Sequence, residues 1–302
     1  PVLLQKYKFI LLFAGLGITA LTFIFGTYPG GAGPRLWLGC CGVYFQPSEL
    51  LKLLFVVFLA AYLAARQPVK AGLIQLLAPT LLLLVAALGL LLIQRDLGTA
   101  ILFTAIYTVV VYLATGKKRI LAISAGIILA AGTFGYLTLG IIQTRIDAWL
   151  NPWKDAAGSG YQVVQSIISV GAGGTFGRGP GLGSPSLVPV AHSDFIFTAI
   201  AEETGLVGSL ALLGLLGIFL LRGLRAALRA GSTYQRYLAA GITAYMGSQA
   251  ILIIGGNLRA LPLTGVTLPF LSYGGSSLLI AYLALFFLLE SSNSIDEQAD
   301  IP

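Results

Sequence analysis

The chain has 302 residues, 57% of them hydrophobic and only 10% charged. Its 18 Lys and Arg and 11 Asp and Glu are too few to cover a water-soluble globule, where roughly 25% charge is ordinary. The same composition excludes a disordered chain, and a mean hydropathy of +0.91 fits a protein that crosses a membrane several times.

A spanning helix needs about 20 mostly apolar residues. The apolar runs predict eight of them, at residues 7–27, 48–66, 72–93, 97–115, 120–142, 196–222, 237–255 and 275–291. The expected fold is an all-α polytopic membrane protein, a single transmembrane domain over 1–302. Eight spans place both ends on the same side.

The first span leads into a long connection, 27–47, that holds Cys40 and Cys41. Two neighbouring cysteines build no disulfide framework. The second span opens with Pro47 and Ser48, which suit a helix start. Glu49 and Lys52, three apart, share one face of it. They form either a structural ion pair or the wall of a polar cavity in which Lys52 meets an anionic substrate group. Charge inside a span costs about 2.5–3.5 kcal/mol, so a functional role is the default. The third and fourth spans meet at Gln94-Arg95-Asp96, where Asp96 caps the next helix, pairs with a neighbouring cation, or contacts ligand.

The basic residues sort to one side. Lys6, Lys8, Arg66, Lys70, Lys117, Lys118, Arg119, Arg222, Arg225, Arg229 and Arg236 all fall at the ends that share the N-terminus. That side is the cytoplasm by the positive-inside rule, so the net charge of +7 is a topology signal and no nucleic-acid partner is expected. Glu290, Asp296, Glu297 and Asp300 cluster near the C-terminus. Glu49, Asp96, Asp147, Asp155, Asp194, Glu202 and Glu203 fall on the outer side or in the outer half of a helix. Chemistry, or ion handling, is expected at that outer face.

The connection over about 143–195 is far longer than the others, and loops of such length are usually functional. It carries Trp149, Trp153, Tyr161 and Phe176, with nine glycines between Gly158 and Gly183. Short helices hinged by glycine are expected there. No phosphate-loop pattern occurs. Arg145, Lys154, Arg178 and Arg259 are candidate phosphate contacts, each also readable as a plain surface charge. Asp194 ends the loop just before an apolar span. It is either a helix N-cap or a carboxylate whose pKa a membrane boundary raises, as suits a general base. His192 is the one histidine of the chain and is assigned a structural hydrogen bond. Glu202 and Glu203 follow two turns into the sixth span, so one of them can face the same cavity. A single His and no thiol cluster offer no triad and no zinc site.

Five blocks, in order, resemble the SEDS family (shape, elongation, division and sporulation), to which RodA, FtsW and SpoVE belong. Arg35-Leu36-Trp37 with Phe45-Gln46-Pro47-Ser48-Glu49 and Lys52 is similar to the family's R-x-W and Q-P-S-E-x-x-K block. Gln94 to Thr99 resembles Q-P-D-L-G-T. Gly160-Tyr161-Gln162, Gln165-Ser166 and Gly171 to Gly174 resemble the glycine-rich loop. His192 to Phe197 with Glu202-Glu203-Thr204-Gly205 resembles H-T-D-F-I-F…E-E-x-G, and Pro262 to Ser277 resembles the signature near the C-terminus. Departures are Arg95 for the usual Pro, Val190 for a common Glu and Ala172 for a common Ser.

The resemblance implies a peptidoglycan glycosyltransferase that polymerises lipid II at the outer face of the bacterial cytoplasmic membrane. It also implies a class B penicillin-binding protein as partner. Asp194 matches the catalytic aspartate. Lys52, Glu49, Asp96, Arg145, Gln165, Ser166 and Glu203 are the expected substrate-binding residues, with Lys52 and Arg145 facing the leaving diphosphate. No resident metal is expected; a divalent cation, Mg or Mn, is the one candidate cofactor. The family has ten spans, so this chain is expected to lack the first two. The rival readings are a flippase for the lipid-linked precursor and a non-catalytic scaffold.

Overall fold

The structure is a computed structural model and describes residues 2–28, 34–66 and 73–293. The 67–71 connection with Lys70, and Asp296, Glu297 and Asp300, lie outside them. The eight expected spans are all helices among the described residues: α2 (Lys8–Phe25), α3 (Pro47–Ala64), α4 (Leu73–Ile93), α5 (Leu97–Thr115), α6 (Arg119–Thr138), α9 (Ile196–Arg229), α10 (Thr233–Asn257) and α11 (Gly275–Asn293). A short α1 (Val2–Lys6) precedes them. The outer loop contains α7 (Gly140–Leu150) and α8 (Tyr161–Gly173), with 3-10 turns at Pro152–Asp155 and Pro185–Leu187. A hairpin of β1 (Leu38–Cys40) and β2 (Val43–Phe45), antiparallel, fills part of the 27–47 connection. The chain is a multi-pass membrane protein.

Contacts divide it into two compact units. Residues 1–124, 220–246 and 275–302 make the first, and 125–219 with 247–274 the second.

In the first unit α3 is the buried helix. Pro47 occupies its first turn, where no N–H is needed, and Glu49 lies there too, near the positive end of the helix dipole. Its length reads Leu51, Phe55, Val56, Phe58, Leu59, all fully buried. Phe55 packs on Phe103 of α5 at 5.0 Å. Lipid is as apolar as these side chains, so close packing rather than water exclusion joins helices in a membrane. Small residues therefore matter: a Cβ on Gly241 of α10 would meet Val56 Cγ1 at 2.6 Å. Asp96 caps α5, accepting from Thr99 N at 3.2 Å, and Gly116 ends that helix with φ +67°.

In the second unit α9 is broken. Gly205 has φ +67° and ψ −163°, so the N–H groups of Leu206 and Val207 cannot reach back along the helix. They donate instead to Gly174 O (2.9 Å) and Thr175 O (3.1 Å). The carbonyls left free, Glu202 O and Glu203 O, accept from Arg178 N and Gly179 N, each at 3.0 Å. The glycine-rich loop after α8 thus inserts into the break and satisfies these four backbone groups of α9, as a buried backbone demands. The expected glycine hinge is a plug for a broken helix.

Candidate active site

Asp194 stands on the last turn before α9. Val190, at φ +56°, turns the chain, and its carbonyl accepts from both Ser193 N (3.1 Å) and Asp194 N (3.2 Å). The residues around the aspartate are gripped from the end of α10 and from the segment that follows it. Ser272 Oγ donates to Ser193 O at 2.7 Å, Tyr273 N donates to His192 O at 2.8 Å, and Asn257 Nδ2 donates to Asp194 O at 2.8 Å. The His192 ring meets the Tyr273 ring edge-on at 5.5 Å, so His192 supports the turn.

Asn257 is 1% exposed and ties three helices together. Its Oδ1 accepts from Thr198 N and Oγ1, both at 3.3 Å. Its carbonyl accepts from Ser166 Oγ at 2.8 Å, and Ser166 and Thr198 share a 2.6 Å hydrogen bond. Nothing in the sequence pattern singled out Asn257, because its partners lie far along the chain.

The Asp194 carboxylate is half-buried and accepts from Ser193 Oγ at 2.8 Å, not from the first turn of α9. It faces a cavity of about 110 Å³ lined by residues from α7, α8, α10 and the 263–266 segment. Burial raises its pKa above the ordinary aspartate value. The Ser193 hydrogen bond and the charges of Arg145 and His192 pull the other way and do not cancel it. Arg145 reaches the same cavity from α7, with Nη1 near Leu263 O (3.3 Å) and Thr264 O (3.4 Å). A proton acceptor and a cation therefore share one concave pocket whose other polar side chains, Thr144, Ser159, Gln162, Asn257 and Thr264, are neutral.

Of the residues expected in the site, the structure brings Asp194 and Arg145 together. Gln165 and Ser166 lie one turn farther along α8 than Gln162 and do not line the cavity. Ser166 is 1% exposed and its hydroxyl is engaged inside the protein, so it orders helices rather than meeting a ligand. Glu203 also lies off the cavity, its carbonyl bound to Gly179 N. Its neighbour Glu202 is the engaged carboxylate, holding Arg178 Nη1 at 3.1 Å and Ser184 N at 3.0 Å. Gln162 and Ser159 were not among the expected site residues, although Gln162 stands in the Gly160-Tyr161-Gln162 block and Ser159 immediately precedes it.

Glu49, Lys52 and Asp96 belong to the first unit. Lys52 Nζ lies 2.8 Å from Glu49 Oε1, both residues are at most 5% exposed, and the ammonium sits 5.2 Å from the Tyr245 ring centre. Asp96 caps α5 and takes a 3.4 Å bond from Ser48 Oγ. Arg95 has φ +60°, a conformation closed to the proline that the family pattern carries there.

Among the described residues no three His, Cys, Asp or Glu converge as metal ligands. One carboxylate beside a guanidinium is not a protein cage for Mg or Mn, which take one or two carboxylates and lean on substrate oxygens for the rest.

The model of the cell cycle protein family FtsW/RodA/SpoVE matches residues 2–296. The peptidoglycan glycosyltransferase RodA of Mycobacterium tuberculosis H37Rv is 37% identical over 96% of this chain and 64% of its own length. This chain therefore spans a little under two thirds of that relative. Stage V sporulation protein E of Bacillus subtilis is 34% identical over 93% of this chain and 85% of that protein. Among solved structures, a chain of a peptidoglycan synthase complex superposes with a TM-score of 0.80 at 32% identity, covering 96% of this chain and 82% of that one. Thermus thermophilus rod shape determining protein RodA gives 0.67 at 28% identity, with coverage of 95% and 78%.

Proposed function

The chain belongs to the FtsW/RodA/SpoVE family, and from that premise we propose that it is a peptidoglycan glycosyltransferase that polymerises lipid II. One observation carries the reading: a half-buried aspartate and an arginine share a concave pocket in the second unit. Asp194 takes the proton from the 4-hydroxyl of the acceptor sugar. The oxygen attacks the anomeric carbon of the donor with inversion, and undecaprenyl pyrophosphate leaves with the bonding electrons. A general base works best with a pKa near the operating pH, and burial moves Asp194 in that direction. Arg145 supplies the cation toward which the leaving diphosphate develops charge.

Of the other expected residues, Ser166 serves this site indirectly: with Asn257, which the sequence did not single out, it holds the turn that carries Asp194. Glu49 and Lys52 steady α3, and Asp96 starts α5. A divalent cation, if used, arrives on the phosphates of the substrate. The basic helix ends of Lys6, Lys8, Lys117, Lys118, Arg119, Arg222, Arg225, Arg229 and Arg236 favour a cytoplasmic membrane location with the pocket facing outward. A class B penicillin-binding protein is the partner that would crosslink the product.

The test is polymerisation of lipid II by the purified full-length protein, alone and with that partner. Moenomycin is added to silence other glycan polymerases, and Asp194→Asn is assayed beside the wild type. Glycan strands from the wild type and none from folded Asp194→Asn are expected. Equal product from both overturns the role of Asp194. No product from either, with an intact partner complex, turns the reading to transport or scaffolding.

A further inference from the structure

Helix α10 ends in a left-handed cap. Arg259 N bonds to Gly256 O at 3.1 Å and Ala260 N to Gly255 O at 2.7 Å, which places Arg259 at the position after the cap, with φ +56°. Glycine is the residue that this position favours. The backbone gains nothing from arginine there, so a reason for it lies in the side chain. The guanidinium crosses to the last turn of α7, where Nε donates to Trp149 O at 2.9 Å and Nη2 to Leu150 O at 2.7 Å. A cation bound to free C-terminal carbonyls is favoured by the helix dipole. The Trp149 indole closes the loop, donating Nε1–H to Arg259 O at 3.0 Å.

One turn before Trp149, α7 carries Arg145. Its own contacts to Leu263 O and Thr264 O are long, at 3.3 and 3.4 Å, so they do not fix α7 by themselves. We propose that Arg259, together with Trp149, is a positioning residue: the reciprocal clasp holds the C-terminal end of α7 against the 259–264 segment, so that Arg145 faces Asp194 across the cavity. Arg145 from α7 and His192 from the aspartate's own loop are the charged or titratable groups that act on Asp194. The other elements around it present neutral Gln162, Asn257 and Thr264. Releasing the clasp lets α7 fray and withdraws the Arg145 charge, and Asp194 then ionises less readily. The role rests on the proposed glycosyl transfer, with Asp194 as its base.

Arg259→Gly is the informative variant, because glycine suits the cap and removes only the guanidinium's half of the clasp, while the backbone carbonyl that accepts from Trp149 remains. It is compared with Arg259→Lys and Arg145→Gln in the full-length protein. One readout is lipid II polymerisation against pH. The other is carbodiimide labelling of the protonated Asp194 carboxyl against pH, read by peptide mass spectrometry. Arg259→Gly is expected to melt close to the wild type and to lose roughly tenfold or more in kcat with KM little changed. The acid limb of its profile and its labelling midpoint both move to higher pH. Arg145→Gln does the same, and Arg259→Lys recovers part of the loss. A labelling midpoint unmoved in Arg259→Gly overturns the proposal, even if activity falls. A midpoint unmoved in Arg145→Gln overturns it too. Should the wild type make no glycan, the functional reading fails, and a shifted midpoint still supports the clasp.

Discussion

Asp194 holds its proton to higher pH than an ordinary aspartate because burial penalises its charged form more than Ser193, Arg145 and His192 favour it. The consequence for stability has a definite sign. Between the unfolded and the folded pKa the native state binds more proton than the unfolded chain, so stability falls as pH rises through that interval and stays reduced above it. Asp194→Asn, which keeps an acceptor for Ser193 but carries no charge, is therefore expected to raise Tm at neutral pH. The advantage should vanish as pH drops through the carboxylate range. Melting curves of both proteins across pH check this, and a lower Tm for the variant at every pH would refute it. Such a variant would be more stable and inactive at once. Other single residues carry strain that no pattern announces. Arg95, Val190 and Arg259 are non-glycine residues at positive φ, each costing about 1–2 kcal/mol. Two of them, Arg95 and Val190, are positions where the sequence departs from its family's pattern, and for Arg95 the fold requires the departure, since proline cannot take a φ of +60°.

The broken α9 depends on three glycines that come from two places in the chain. A Cβ on Gly173 would run into Ala201 O, one on Gly177 into Glu203 O, and one on Gly205 into Gly177 N. Two of the three also have positive φ. Gly205→Ala is expected to destabilise the protein by more than about 2 kcal/mol, through the strained backbone and the hydrogen bonds it forces apart. Unfolding in a detergent or denaturant titration measures it. A change within about 0.5 kcal/mol would mean that the loop yields easily and that the insertion is soft. The glycines after α8 were visible as an unusual density of one residue type. Their partner was not, since the carbonyls that they approach lie 26 to 28 residues on. The same holds along α8. Helical spacing puts Gln162, Gln165 and Ser166 on neighbouring turns, but only packing decides that Gln162 meets the cavity while Ser166 turns inward.

Over the whole chain the scarcity of charge makes each buried charge costly. Glu49 and Lys52 lie in a helix whose other side chains are mostly apolar and buried, and Glu49 Oε2 has no hydrogen-bond partner. Breaking such a pair leaves one charge uncompensated, at roughly 3–5 kcal/mol, whereas replacing both by apolar residues is often neutral. Glu49→Gln is expected to lower Tm sharply and Glu49→Leu with Lys52→Met to recover most of the loss, by thermal melting in detergent. A double variant as unstable as the single one would show that the pair does more than neutralise itself. The eight spans were legible because a span is a local sum: about 20 consecutive apolar residues suffice for a bilayer whatever lies elsewhere, and each had the run it needed. Asp194 was legible too as a carboxylate between a long loop and an apolar helix, readable there as a helix N-cap or as a base. Its surroundings were not, because Asn257 and Asp194 are 63 residues apart and Arg259 and Trp149 are 110 apart. Composition and run length determined that this protein crosses a membrane and where. Tertiary structure alone decided which polar groups meet in the pocket, because that depends on a few directional bonds between distant residues, whose register no local pattern encodes.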